Sequence, residues 1–142
     1  MLAMAQWKLP PALSEVSGLA LTEDGQLLAH GDGRGKVFVV DYRRGSIVHE
    51  FSLGKPAVKD DFEAITMVGD TVVLLASNGT IYEVADGGRD TTGKFRSYDT
   101  GLGDECEFEG LAYDPAIRSL LLACKRVHAK AMRDSVDRKS VV

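Results

Sequence analysis

Three short strings stand at equal spacing along this chain of 142 residues. They are Glu15-Val16-Ser17-Gly18-Leu19-Ala20, Asp61-Phe62-Glu63-Ala64-Ile65-Thr66 and Glu107-Phe108-Glu109-Gly110-Leu111-Ala112, whose first residues, 15, 61 and 107, lie 46 positions apart. Each reads acidic, apolar, Glu or Ser, small, aliphatic, small. An equal period of this length means that one supersecondary unit is stacked against copies of itself, because a single copy cannot bury its own apolar face.

The residues inside one period define the unit. Val16 to Leu21, Gln26 to His30, Lys36 to Tyr42 and Ser46 to Leu53 are rich in aliphatic, β-branched and aromatic side chains. They are separated by Thr22-Glu23-Asp24-Gly25, Gly31-Asp32-Gly33-Arg34-Gly35 and Arg43-Arg44-Gly45, whose glycines suit tight turns. The second period repeats the plan with Phe62 to Val68, Thr71 to Ala76, Thr80 to Val84 and Phe95 to Tyr98. The third supplies Phe108 to Tyr113 and Ser119 to Cys124, after which the strand pattern weakens.

Four short antiparallel strands per period of roughly 40–50 residues predict an all-β chain, a partial β-propeller built from four-stranded blades. A β-sandwich also has short, regularly spaced strands, but it does not require the same motif at the start of each period. The expected division is a lead-in over 1–12, blade 1 over 13–58, blade 2 over 59–104, and over 105–142 an incomplete blade 3 with an irregular C-terminal tail. The last ten or so residues are expected to be poorly ordered. A closed propeller has about four to eight blades, so two and a half imply a fragment, a truncated product or a ring completed by other copies.

Composition narrows the function. The net charge of −4 argues against a nucleic-acid partner, which calls for a basic stripe. The charge is uneven. Residues 125–142 carry six Lys or Arg against Asp134 and Asp137, a net +4, so the repeats before them carry −8. The basic cluster of Lys125, Arg126, Lys130 and Arg133 reads as a solvated loop face. No apolar run reaches the roughly 18 residues of a membrane span. The start lacks the basic region of a signal peptide, which as given implies a cytoplasmic protein. A missing natural start, or a disulfide between Cys106 and Cys124, would instead place it outside the cytoplasm. The turn near Ala116 sets Phe108 opposite Cys124 and makes the two cysteines diagonal neighbours, so a disulfide and a pair of buried thiols are both open readings.

The residues SEVSGLALTEDGQLLAHGD (Ser14 to Asp32), DFEAITMVGDTVVLLASNGTIYEV (Asp61 to Val84) and YDTGLGDECEFEGLAYDPAIRSLLLACK (Tyr98 to Lys125) resemble bacterial propellers of the SdiA-regulated family, and more loosely the phytase-like esterase propellers. The resemblance covers about residues 12–133. It implies six blades, of which these are the first, and calcium binding in or near the central channel. It brings no established catalytic activity. The departure is the mostly polar stretch from Asp134 to Val142, where the family pattern would lead into another strand.

If the first strand of each period lines the channel, Glu15, Asp61 and Glu107 gather at one mouth, with Ser17, Glu63 and Glu109 beside them. Such carboxylates stay ionised only with compensation, and an all-oxygen set suits a hard cation such as Ca²⁺. Glu63 and Glu109 are the foremost metal candidates, followed by Glu15, Asp61 and Glu107. A structural role is the competing reading, each acid accepting backbone N–H groups. No DxDxDG calcium loop is present. His30 and Asp32 are candidate ligand-binding residues at the same mouth, or else a polar turn. His49 and His128 have no partner evident in the sequence, and no serine stands in a nucleophile elbow. Two functions follow. The first is a binding module for a small polar ligand or a protein. The alternative is a metal-assisted hydrolase of phosphoester or lactone type, for which His30 is the only base in view.

Overall fold

A computed structural model describes residues 4–127. Among these described residues, ten strands form three antiparallel sheets. The first contains β1 (Gly18–Leu21), β2 (Leu27–His30), β3 (Lys36–Asp41) and β4 (Ser46–Ser52), in that order. The second contains β5 (Phe62–Val68), β6 (Thr71–Ala76), β7 (Thr80–Val84) and β8 (Arg96–Asp99). The third pairs β9 (Cys106–Asp114) with β10 (Ser119–Val127). Short 3₁₀ turns occur at Pro11–Leu13 and Asp86–Gly88. β10 runs to Val127, three residues past Cys124, where the strand pattern is expected to weaken; the rest of that stretch and the expected disorder of the chain end lie outside the described residues.

Strand order follows chain order in each four-stranded sheet, so each is a meander. The first strands of successive sheets, β1, β5 and β9, are spatial neighbours. This is the blade arrangement of a propeller, with the first strand of each blade innermost.

Strand pairing gives a finer alignment of the blades than the motif spacing does. Gly18 faces His30, Ala64 faces Leu75, and Gly110 faces Ala123. The small residue of each motif therefore lies opposite the second strand of its own blade. A Cβ on Gly110 would stand 2.9 Å from the Ala123 Cβ, and one on Gly18 would collide with the His30 ring.

Two apolar layers join the blades. Leu28, Val37, Val39, Phe51 and Leu53 of blade 1 meet Phe62, Ile65, Val72, Leu74 and Tyr82 of blade 2. Ala64, Leu75 and Ile81 of blade 2 meet Cys106, Phe108, Leu120 and Leu122 of blade 3. A third layer sets Leu9 of the lead-in, and Leu13 and Val16 just before β1, against Ala29, Phe38 and Val40 on the other face of blade 1.

The apolar position of the motif builds the junctions. Phe62 and Phe108 are both fully buried. Each ring lies over a glycine of the preceding blade. A Cβ on Gly35 would sit 3.3 Å from the Phe62 ring, and one on Gly79 would sit 3.1 Å from the Phe108 ring. Each phenylalanine also donates its backbone N–H backward, Phe62 to the Asp32 carbonyl (2.6 Å) and Phe108 to the Ser77 carbonyl (2.9 Å). Val16 holds this motif position in blade 1 and packs against the third layer instead.

Candidate functional site

The candidate site grows from an irregularity that recurs with the motif. In blade 2, Phe62 pairs with Ala76 and Ala64 with Leu75, so Glu63 has no cross-strand partner. In blade 3, Phe108 pairs with Cys124 and Gly110 with Ala123, so Glu109 has none either. Both glutamates are the extra residue of a β-bulge, a device that redirects one side chain out of the strand alternation. Lys125, between Cys124 and Arg126, is skipped by a second register shift, this one on β10. Its ammonium lies 2.6 Å from Glu109 Oε1.

These bulges bring four charged groups within mutual influence. Glu63 titrates above the ordinary glutamate range. Partial burial is the main cause, followed by the charge of Asp61 and a hydrogen bond shared with it, then the charge of Glu109. Lys125 acts in the opposite direction on Glu63. The ammonium in turn titrates higher than usual, chiefly because of its hydrogen bond and charge interaction with Glu109, with Glu107 and Glu63 adding to the effect.

Of the acids predicted for the mouth, Asp61, Glu63 and Glu109 thus come together. Glu107 turns toward Arg126, at 4.0 Å. Glu15 is exposed, and it is not among the charges that act on Glu63. Ser17 uses its backbone N–H to reach the His30 carbonyl, 2.8 Å away. Lys125 and Arg126 sit in β10 and not in the expected loop, but both are exposed, with Lys125 paired to Glu109, while Lys130 and Arg133 lie outside the described residues. The oxygen-rich chemistry of the set suits a hard cation. Its geometry does not converge on one, since among the described residues no three His, Cys, Asp or Glu side chains are grouped to hold a metal ion.

His30 is not a residue of a polar turn. It is completely buried, with 0% of its surface exposed. Its Nδ1 lies 2.6 Å from the Gly31 carbonyl. A carbonyl only accepts, so Nδ1 carries the proton and Nε2 is the bare nitrogen. That nitrogen has no hydrogen-bond partner and packs against Gly18. Burial lowers the His30 pKa, against the opposing effects of the Gly31 bond and the Asp32 charge. Asp32 is exposed and contributes its backbone carbonyl to Phe62.

Sequence reasoning missed Asp60, one position before the second motif. Its carboxylate accepts from the Tyr82 hydroxyl (2.6 Å), the Asp61 N–H (2.8 Å) and the Asn78 amide (3.4 Å). Burial first, and then Asp60, drive the Tyr82 pKa upward. The corresponding position before the third motif is Cys106, which forms a disulfide with Cys124. Both devices fasten the approach to a blade onto that blade. Position relative to the motif was the available signal for Asp60, but its partners lie 18 and 22 residues away. His49, which had no evident partner, meets the Gly88 carbonyl at 3.0 Å.

No family model matches the chain, and no curated protein matches it. Solved structures do. A dihydro-heme d1 dehydrogenase, NirN in complex with DHE, is 15% identical, with a TM-score of 0.50 over 75% of this chain and 23% of its own. The PQQ-bound aldose sugar dehydrogenase of Streptomyces coelicolor is 16% identical, with a TM-score of 0.50 over 81% of this chain and 40% of its own. The computationally designed Ika4 protein is 16% identical, with a TM-score of 0.51 over 88% of this chain and 80% of its own. This chain therefore spans less than half the length of either dehydrogenase. Both dehydrogenases are β-propellers, and the likeness at this identity establishes the fold: an all-β, propeller-type chain. No helix among the described residues is long and apolar enough to cross a membrane.

Proposed function

We propose that this propeller segment is a binding module whose mouth, at Asp61, Glu63 and Glu109, takes a cationic or polar ligand, with Ca²⁺ the first ion to try. The observation that carries this reading is the state of Glu63. Its carboxylate lies under the negative charges of Asp61 and Glu109, and Lys125 is the cation that opposes them. Three carboxylates against one ammonium leave negative charge that an external cation would offset. Lys125 would have to release Glu109 for a metal to share it, so the lysine acts as a built-in competitor.

The motif likeness to the SdiA-regulated propellers supports a six-bladed ring in which further blades add donors to this mouth. The Cys106–Cys124 disulfide is compatible with an extracytoplasmic home. The hydrolase alternative gains nothing from the site, because its proposed base, His30, is enclosed and bonded to its neighbour.

Calorimetric titration of Ca²⁺ into the wild type, Glu63→Gln, Glu109→Gln and Lys125→Met tests the proposal. Binding should weaken in both glutamate variants and tighten in Lys125→Met. An absence of heat in both wild type and Lys125→Met overturns the metal reading. Unchanged binding in the two glutamate variants overturns the site.

A further inference from the structure

A cleft of about 560 Å³ opens between blades 1 and 2, at the β1–β2 and β5–β6 turns and so at the opposite end of the inner strands from the acidic mouth. Its volume falls in the range of small-molecule sites. The floor is apolar, formed by Leu28, Val39, Val48 and Met67. The rim carries Glu23, Asp24 and Asp70. The single cation of the lining, Arg89, reaches Asp70 only at 4.0 Å. Three carboxylates against one guanidinium leave the rim negative.

Both walls are held in place by the chain itself. In the β1–β2 turn, Thr22 exchanges backbone bonds with Gln26 and Gly25, at 2.9 and 3.0 Å. Its hydroxyl accepts from the Gln26 N–H and donates to the Asp24 carboxylate. On the other side, Asp86, Gly87 and Gly88 run through left-handed backbone, with φ of 55°, 61° and 76°. The Gly87 N–H donates to the Asp70 carbonyl at 2.6 Å, and Gly88 fits against the Phe51 ring, where a Cβ would collide. The cleft is thus preformed, which lowers the ordering cost of binding.

The next junction supplies an internal comparison. A smaller cleft of about 390 Å³ lies at the corresponding place between blades 2 and 3. There the charged lining is Glu83, Arg96 and Arg118, so its balance is reversed. The negative rim is therefore particular to the first junction and not a consequence of propeller geometry.

We propose that the cleft between blades 1 and 2 binds a small molecule with an apolar body and a cationic ammonium or amidinium head. The body covers Leu28, Val39, Val48 and Met67, and the head is received by Asp24 and Asp70. This site is separate from the acidic mouth and does not depend on it.

The test uses the intact chain and three probes of similar shape: phenethylammonium, phenethyl alcohol and 3-phenylpropionate. The ammonium should bind about tenfold tighter than the alcohol, as charge-assisted hydrogen bonding would give, with the carboxylate weakest. Asp24→Asn combined with Asp70→Asn should bring the ammonium down to the level of the alcohol. Val48→Trp should block all three by laying its ring over the cleft, and Val48 is 54% exposed, so the larger side chain overpacks no buried position. The carboxylate variants alter only side chains at the surface turns and read out independently if Val48→Trp unfolds. Equal affinity for the three probes, preference for the carboxylate, or no binding at all overturns the proposal. So does ammonium affinity that survives loss of both carboxylates.

Discussion

Glu63 and His30 carry their pH dependence in opposite directions. For Glu63 the folded chain raises the pKa above the unfolded value of 4.5. The folded state then binds more protons than the unfolded state over that window, so stability falls as pH rises through it. Glu63→Gln should raise the melting temperature at pH 8 and lose that advantage near pH 4, read by thermal unfolding at both values. For His30 the folded state depresses the pKa below 6.5. Its contribution is fully present above the unfolded pKa and is lost as pH falls toward the folded one. Blade 2 carries Leu75 at the equivalent position. His30→Leu should therefore flatten the loss of stability below pH 6.5, measured as a smaller drop in melting temperature between pH 7 and pH 5. An unchanged drop would mean that another group titrates there. Gly18→Ala drives a methyl into the His30 ring, and overpacking of this kind costs about 1–3 kcal/mol in denaturant unfolding.

Among the elements, the junctions between blades follow from the apolar residue of each motif lying over a glycine of the blade before. Phe62→Ala and Phe108→Ala each remove a fully buried ring, and each should cost about 3–5 kcal/mol by denaturant unfolding. The fastenings before each blade are smaller effects. Tyr82→Phe removes the hydroxyl bond to Asp60 and should cost about 1–3 kcal/mol, since it leaves a carboxylate with one fewer donor. Cys106 and Cys124 are 18 residues apart. Breaking their bond with a Cys→Ser pair should cost about 3 kcal/mol on the chain-entropy account. A loss much smaller than that would mean the unfolded chain is already restrained there. The strand pattern was legible in the turn glycines and the β-branched runs. The bulges were not, because Glu63 and Glu109 fit simple alternation in the sequence. The extra residue emerges only when each strand is set against its partner.

Across the molecule, β6 is the best-protected element. Val72, Leu74 and Ala76 face blade 1, Leu75 faces blade 3, and β6 pairs on both sides with β5 and β7. β8, by contrast, is exposed along its whole length. Amide hydrogen exchange should be slowest in β6 and fastest in β8, because exchange follows local opening. The sequence alone determined the repeat, the all-β class and the meander within each blade. Those features depend on local pattern and on an equal period, which any reader of the chain can count. It also set Phe108 opposite Cys124, but the turn is not the reason: the register from Ser119–Asp114 to Ala123–Gly110 would pair Cys124 with Glu109, and the bulge at Glu109 brings Phe108 there instead. Only the tertiary structure decided what the acids do: Glu109 meets Lys125, Glu63 lies under the charges of Asp61 and Glu109, and Glu107 meets Arg126. It also decided that His30 is enclosed, and that a cleft of about 560 Å³ opens at the other end of the inner strands. The physical reason is the same in each case. Ion pairing and burial depend on distances across separate strands and blades, and a one-residue bulge changes those distances without leaving a mark in the local pattern.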